Sequence, residues 1–337
     1  MRFLVTGASG FIGRQLVQNL SSQFGQSNIQ LLLPLLPKHS KELSRQNDLI
    51  SSGFDIVFAD LLALPENFST SVKPFNVLFH LAAFGETESK NTVLNQVNDI
   101  GSKNLILSLA QHLKGTRIIF TSTLAAVDRS FSDNTPLAED YPCHPRTAYG
   151  ISKLNAETII KSHAEEIDYQ WIIMRLPTVI GSGYRPDGLA DVIIENLRRN
   201  KLFTALNWPG RIELVYVNDV AEILTKAGAL PIQSSNLFHL SSGIAPTLDE
   251  LIQKISDLFK IKRSRLSMPS FFWNLIRKII WVQSLYSILP FTLKILFWRL
   301  SLIVSDGFVG DGTLLSKNIP HKFMGLSEML YQTYREN

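Results

Sequence analysis

The sequence of 337 residues has little cysteine, few charges and no long uncharged apolar run. Its single cysteine, Cys143, excludes an internal disulfide and fits a reducing compartment. Charged residues make up 18% and hydrophobic residues 45%, which excludes a disordered chain. The apolar stretch 279–293 is interrupted by Pro290 and is shorter than the roughly 20 residues of a membrane-spanning helix. We therefore expect a folded chain with no transmembrane span.

Acidic residues are missing from one segment altogether. Residues 258–305 contain eight basic and no acidic side chains, whereas the rest of the chain has 25 basic and 29 acidic residues. Within it, residues 268–304 are rich in Leu, Ile, Phe and Trp. Basic helices with apolar faces can lie in a membrane interface, and they can equally cap a substrate pocket. Both interpretations stay open, and the second needs no membrane.

Secretion and nucleic-acid signals are also missing. The first predicted strand starts at residue 2, so we expect no signal peptide and a cytoplasmic location, with membrane association through 268–304 as an addition. No repeat or nucleic-acid motif is visible, so we expect a small-molecule substrate and no nucleic-acid partner.

Three glycines open the chain. Gly7, Gly10 and Gly13 are spaced by three, between a short apolar strand and a helix that continues through Leu16 and Leu20. Residues without Cβ let backbone N–H groups approach a phosphate at a helix N-terminus. Such glycines also pack helices onto strands without any ligand, so this pattern alone leaves both interpretations open.

Apolar strands and helical stretches alternate over the first half of the chain. We predict strands near residues 2–5, 29–33, 54–59, 76–80 and 117–123, helices over 92–112 and from Pro145 onward, and further strands at 215–217 and 236–242. This order predicts an α/β fold with a doubly wound, Rossmann-type parallel sheet. A helix over Thr247–Phe259 starts with a capping box of Thr247 and Glu250.

The end of the second strand lacks the usual cofactor selector. An acid there would bind a ribose 2′-hydroxyl, and a base would bind a 2′-phosphate. Pro34 occupies that place, and no acid appears after it before Glu42. Four basic residues follow shortly, Lys38, His39, Lys41 and Arg45. The cofactor is therefore predicted as NAD(P) with NADP favoured, and a solvated loop with a few lysines is the alternative interpretation of these residues.

Candidate catalytic side chains follow the fifth strand. Thr123 ends this strand, and Tyr149 and Lys153 lie four residues apart, on one face of a helix. An ammonium group beside a phenol favours the phenolate, which makes tyrosine a better acid/base near neutral pH. Thr123 would hydrogen-bond the substrate oxygen that Tyr149 protonates or deprotonates. An isolated Tyr-x-x-x-Lys is also common on helix surfaces.

These motifs together resemble the extended short-chain dehydrogenase/reductase family, also called the NAD-dependent epimerase/dehydratase family. The matching stretches are 6–13 (TGASGFIG), 60–61, 80–83, 121–123, 149–153, 175–181 and 215–221, and they cover roughly residues 1–250. The resemblance implies that Tyr149 is the acid/base, Lys153 its activator and ribose ligand, and Thr123 the substrate-oxygen partner. It also implies a set of cofactor-binding residues: Gly7, Gly10, Phe11, Ile12, Gly13, Asp60, Leu61, Leu81, Ala82, Ala83, Tyr149, Lys153 and Pro177.

The same resemblance suggests how the chain is divided. We predict a dinucleotide-binding domain over 1–180 with a returning segment near 211–242, and a substrate lobe over 181–210 and 243–337. Relatives often form homodimers through helices like those at 92–112 and 145–165, so a homodimer is expected as well. Asp60 either contacts adenine or only begins a turn, and Arg185 and Arg211 either bind a diphosphate or are solvated.

Three functions remain open at this point. The first is an NAD(P)-dependent oxidoreductase that interconverts a secondary alcohol and a ketone on an apolar substrate, as hydroxysteroid dehydrogenases and dihydroflavonol reductases do. The second is a nucleotide-sugar epimerase, and the third is a non-catalytic dinucleotide-binding scaffold or sensor. Leu124 and Ala125 stand where 4,6-dehydratases of the family carry an Asp-Glu pair, which argues against elimination chemistry.

Overall fold

The computed structural model describes residues 1–36, 40–85, 92–128, 135–183, 188–230, 235–281 and 291–335. Within these ranges a seven-stranded sheet forms the centre of the molecule, with all neighbouring strands parallel. Its strands are β1 (Phe3–Thr6), β2 (Ile29–Leu33), β3 (Asp55–Phe58), β4 (Val77–His80), β5 (Arg117–Thr123), β6 (Gln170–Leu176) and β9 (Asn236–His239). The predicted Rossmann-type α/β fold is confirmed.

The strand order is β3-β2-β1-β4-β5-β6-β9, so the chain reverses direction across the sheet between β1 and β4. Open α/β sheets bind their ligands at such a reversal, outside the carboxyl ends of the strands. The loops after Thr6, His80, Thr123 and Leu176 all leave from that one edge. The topology therefore gathers the predicted site residues at one place.

Helices cover both faces of the sheet. On one face α1 (Phe11–Phe24) packs against α9 (Val217–Ala229), and on the other α3 (Thr92–Ser108) packs against α5 (Ala148–Ser162). Two separate hydrophobic clusters lie under these pairs. The remaining helices of this half are α2 (Ser40–Ser51), α4 (Ala110–Leu113) and α6 (Ala164–Ile167). The homodimer expected through α3 and α5 stays a prediction.

A third hydrophobic cluster lies in the part of the chain predicted as the substrate lobe, called the lobe below. It is formed by a two-stranded parallel sheet of β7 (Thr178–Ile180) and β8 (Leu214–Tyr216) with several helices. These helices are α7 (Leu189–Arg198), α8 (Leu202–Ala205), α10 (Leu248–Phe259), α11 (Ser270–Trp281) and α12 (Phe291–Val304). Of the last two helices, α13 (Thr313–Asn318) packs Leu315 into the first cluster, next to β9, and α14 (Leu326–Tyr334) belongs to the third cluster. The division of the chain into two domains at the predicted boundaries stays a prediction. None of the described helices is both long and apolar enough to cross a bilayer.

Several predicted boundaries were wrong by a few residues. Helix α5 begins at Ala148 and not at Pro145, because the Thr147 side chain caps it by accepting from the Gly150 N–H at 3.0 Å. The helix predicted over 92–112 divides at Leu109, whose φ of −103° and ψ of 11° leave the helical region. The strand predicted over 215–217 ends at Tyr216, and Val217 already begins α9.

Candidate functional site

The glycine bend packs directly against the end of β4. Gly7 has a φ of +71°, a region that favours glycine, and a Cβ placed there would lie 2.7 Å from the Ala82 backbone nitrogen. A Cβ on Gly13 would clash with the Gly7 carbonyl. Only glycine at these positions lets β1, α1 and the Leu81–Ala82 segment come so close. The structure thus brings together two parts of the predicted cofactor site that are 75 residues apart.

A chain of buried hydrogen bonds fixes this junction. The Thr6 hydroxyl accepts from the Leu81 and Ala82 N–H groups at 3.2 and 3.1 Å, which leaves its own proton for Nδ1 of His80 at 2.8 Å. His80 Nε2 then donates to Ser102, whose hydroxyl donates to the Asn98 carbonyl. Burial, followed by the charge of Lys153, lowers the pKa of His80 to about 3. His80 is therefore a neutral structural link at physiological pH.

Asn98 extends these contacts to the predicted catalytic helix. Its amide accepts from the Phe84 N–H at 2.8 Å and donates to the Ser152 hydroxyl at 3.0 Å, and that hydroxyl donates to the Tyr149 carbonyl at 2.9 Å. Sequence reasoning had given Asn98 and Ser152 no role. Their signal was weak, since a polar residue in a helix interior shows its partners only after folding.

The helix of Tyr149 and Lys153 rests on the turn that follows Thr123. A Cβ on Gly150 would clash with the Ala125 carbonyl, so α5 can contact this turn only with glycine there. The turn is itself fixed by the Thr123 hydroxyl, which accepts from the Ala125 N–H at 3.2 Å. Thr123 and Tyr149 are both half-buried. All three predicted catalytic residues therefore belong to one contact between β5 and α5.

Lys153 is almost fully buried. Its side-chain nitrogen lies 4.0 Å from the centre of the Phe120 ring, and the residue is 2% exposed. Burial lowers the pKa of Lys153 to about 7, although the negative charge of Glu157 acts in the opposite direction. An amine with this pKa changes its protonation state close to neutral pH.

One helical turn further on, Glu157 forms a buried ion pair with Arg175. Glu157 is fully buried, accepts from Arg175 Nε at 3.0 Å and Nη2 at 2.7 Å, and also accepts from the Ser122 hydroxyl at 2.5 Å. Arg175 Nη2 further contacts the Cys143 sulfur at 3.2 Å. Burial opposes the charge on Arg175, but the hydrogen bond and charge of Glu157 raise its pKa above the ordinary value. This pair ties α5 to β6 next to the predicted catalytic residues.

The other predicted site residues lie around the same sheet edge. Asp60 is exposed, and its carboxylate accepts from the Leu62 N–H at 2.9 Å, which shows the turn interpretation and leaves adenine contact a prediction. Leu61 is buried under α3, where Asn104 donates to its carbonyl. Phe11 and Ile12 form the first turn of α1, Ala83 follows Ala82, and Pro177 separates β6 from β7.

The structure describes only some of the basic residues that were predicted to bind a cofactor 2′-phosphate or a substrate diphosphate. Lys38, His39 and Arg185 lie outside the described residues, as does the side chain of Lys41. Arg45 donates to the Gly183 carbonyl at 2.8 Å, and Arg14 donates to the Ser182 carbonyl at 2.6 Å. Arg211 is half-exposed and donates to the Ala245 carbonyl at 3.0 Å.

The comparison with known proteins agrees with this arrangement. The sequence pattern of the NAD dependent epimerase/dehydratase family matches residues 3–235. The chain belongs to this family. As an epimerase/dehydratase family member it is an NAD(P)-dependent oxidoreductase or epimerase of the extended short-chain dehydrogenase/reductase type, which confirms the predicted family and enzyme class.

Individual relatives carry two kinds of activity. The UDP-glucose 4-epimerase of Mycolicibacterium smegmatis is 30% identical over 74% of this chain and 80% of its own length. The mitochondrial L-threonine 3-dehydrogenase of Bos taurus is 23% identical over 75% of this chain and 67% of its own length. Among solved structures, the UDP-glucuronic acid 4-epimerase from Bacillus cereus, in complex with UDP-glucuronic acid and NAD, superposes with a TM-score of 0.74. It covers 99% of this chain and 98% of its own at 19% identity, which shows a shared fold.

Proposed function

We propose that this family member is an NAD-dependent nucleotide-sugar epimerase, which inverts a carbinol carbon of a sugar carried on a nucleoside diphosphate. The observation that carries the proposal is the contact of α5 with the turn after Thr123, which supplies one acid/base group and no second pair. Thr123 is followed by Leu124 and Ala125, so elimination lacks its acid and base. Similarity to UDP-glucose 4-epimerase over 80% of that protein supports this choice over an apolar substrate.

The glycine bend is where a dinucleotide would bind, because the close packing at Gly7 and Gly13 brings the N-terminus of α1 to the carboxyl edge of the sheet, where backbone N–H groups can bind a phosphate. The first turn of α1, at Phe11–Gly13, would hold the pyrophosphate, and Ala82, Ala83 and Pro177 would line the remainder. We propose NAD in place of the NADP favoured from sequence. The solved relative binds NAD, and Arg45 already donates to a backbone carbonyl.

In the proposed reaction Tyr149 removes the proton from the sugar hydroxyl, and Thr123 hydrogen-bonds the same oxygen. NAD held at the glycine bend would supply the acceptor for the hydride of the carbinol carbon and the donor that gives the hydride back. Once the keto sugar has rotated in the pocket, the hydride returns to its other face and Tyr149 gives the proton back. The cycle therefore has no net oxidation. Lys153 favours the phenolate of Tyr149 by its charge and donates to the cofactor ribose. Arg211 would bind the diphosphate of the substrate.

The test uses the full chain with UDP-glucose, UDP-glucuronic acid and UDP-N-acetylglucosamine. We expect tightly retained NAD, a C4-epimeric product by NMR, and no net accumulation of NADH at 340 nm. Tyr149→Phe should lower turnover by about 10² to 10⁴-fold, because general acid–base catalysis contributes that much, and it should leave the NAD content unchanged. Unchanged turnover in this variant would remove Tyr149 from the mechanism.

A secondary-alcohol dehydrogenase is the second candidate, supported by the apolar lobe and by the threonine dehydrogenase relative. It predicts stoichiometric NADH formation from an apolar alcohol and no epimer from any nucleotide sugar. A thermal-shift panel with NAD, NADP, UDP-sugars and sterol-like ketones separates the two candidates. Stabilisation by the ketones alone would overturn the epimerase proposal, and no turnover with either class would favour the scaffold hypothesis.

A further inference from the structure

Helix α11 has apolar side chains on its outward face. Phe271, Leu275 and Ile279 are 70%, 54% and 49% exposed and follow one another at intervals of four residues, which places them in one stripe. A surface helix of a soluble protein normally directs polar side chains to this side. The stripe spans about two helical turns, roughly 12 Å.

The opposite face of α11 already provides the apolar contacts of this helix with the core of the lobe. Trp273 is 4% exposed and packs against Trp208 with ring centres 4.9 Å apart and the rings tilted by 46°, while Phe272 and Ile276 pack against the same cluster. The outward stripe therefore adds nothing to the core of the lobe. Three large apolar side chains in water need a different explanation.

The sequence segment that contains the stripe has charge of one sign. Lys278 is exposed on the same face as the stripe, and Lys262, Arg265 and Arg299 are exposed elsewhere in the acid-free segment 258–305. Some cations of this segment are already used: Arg263 is buried against Asp249 at 2.5 Å, and Arg265 reaches the same carboxylate at 3.4 Å. The exposed cations that remain would attract an anionic surface.

We propose that the outward face of α11 docks this protein on a membrane surface that contains anionic lipid. The stripe of Phe271, Leu275 and Ile279 enters the boundary between headgroups and acyl chains, and Lys278 with its neighbouring cations contacts lipid phosphates. A second copy of this chain is a poorer occupant. A two-fold contact through this face would bring two acid-free segments together.

The test measures co-sedimentation of the full chain with phosphatidylcholine vesicles, with and without 30% phosphatidylglycerol. We expect binding to the anionic vesicles, weaker binding at high salt because of screening, and little binding to phosphatidylcholine alone. The triple variant Phe271→Ser, Leu275→Ser, Ile279→Ser should bind at least tenfold more weakly. Lys278→Glu should weaken binding to anionic vesicles by a smaller factor.

A matched control changes three exposed apolar residues of the dinucleotide-binding half, Leu36→Ser, Leu43→Ser and Ile50→Ser, and should bind like the wild type. Both triple variants should keep their melting temperature, since the altered side chains are exposed. Equal binding of the two triple variants would overturn the proposal. The proposal would also be overturned if the wild-type protein did not bind anionic vesicles. It would equally be overturned if sedimentation velocity showed a dimer that the stripe variant loses, without any vesicle binding. Neither readout needs turnover, so this proposal and the proposed function can fail separately.

Discussion

Helices α5 and α11 bury opposite kinds of side chain. Helix α5 places Lys153 and Glu157 inside the protein, at 2% and 0% exposure, and leaves Ile151 at 45% exposure. Helix α11 buries Trp273 and leaves a large apolar stripe outside. A buried charge costs free energy unless it has partners, and Glu157 has them in Arg175 and Ser122. An exposed apolar face has no such partner within the described residues, so its explanation is sought outside this chain.

The largest expected loss of stability comes from breaking the buried pair. Glu157→Gln leaves the Arg175 guanidinium buried without its counter-charge, and we expect the free energy of unfolding to fall by about 3–5 kcal/mol. Urea denaturation measures this change. The double variant Glu157→Gln, Arg175→Met should cost less than the sum of the two single variants, since the charges are removed together.

An exposed ion pair at the end of α7 provides the control for this prediction. Glu195→Gln breaks the exposed contact of Glu195 with Arg199, which should cost less than about 1 kcal/mol. If Glu157→Gln lowered the free energy of unfolding by as little as Glu195→Gln, the buried pair would not hold α5 to β6. The burial of charge in α5 would then not differ in its effect from an exposed ion pair.

A second prediction concerns the joint between the two halves of the molecule. Asp128 lies five residues after Thr123. Its carboxylate accepts a hydrogen bond from Nε1 of Trp298 in α12 at 3.2 Å. Burial raises the pKa of Asp128 to about 6, so the folded state binds more protons than the unfolded state between about pH 3.8 and 6. Stability from this group is therefore lost as the pH rises through that window.

Asp128→Asn keeps an acceptor for Trp298 and removes the titration. Relative to the wild type, its free energy of unfolding should rise by up to about 3 kcal/mol between pH 4 and pH 7. Chemical denaturation over this range measures the difference. A pH-independent difference for Asp128→Asn would mean that this carboxyl titrates normally.

The smallest of these effects on stability belongs to Gly150. Gly150→Ala places a methyl group against the Ala125 carbonyl, and we expect a loss of roughly 2 kcal/mol from overpacking. Because the displaced helix carries Tyr149 and Lys153, kcat should fall while NAD stays bound. Gly307→Ala, which meets only Ser305 at 3.8 Å, is the control in thermal unfolding and turnover assays. Normal kcat in Gly150→Ala would show that this contact does not position Tyr149.

Much of the sheet could be predicted because its signals are local. The apolar runs at Ile29–Leu33 and Val77–His80, and the capping box of Thr247 and Glu250, each depend on residues near one another in the chain. The motif order further identified the family before any contact was known. The start of α5 was predicted at Pro145 but lies at Ala148, because Thr147 caps the helix there.

The sequence by itself determined the α/β alternation, the three-glycine bend and the Thr123, Tyr149 and Lys153 set, since spacing along a strand or helix fixes which side chains share a face. Only the tertiary structure decided which charges are buried: Glu157 finds Arg175 and Arg263 finds Asp249 across separate elements. The same holds for α11, whose composition predicts an amphipathic helix without saying which apolar face the lobe covers. The physical reason is that burial depends on packing between segments distant in sequence, whereas periodicity depends on neighbours.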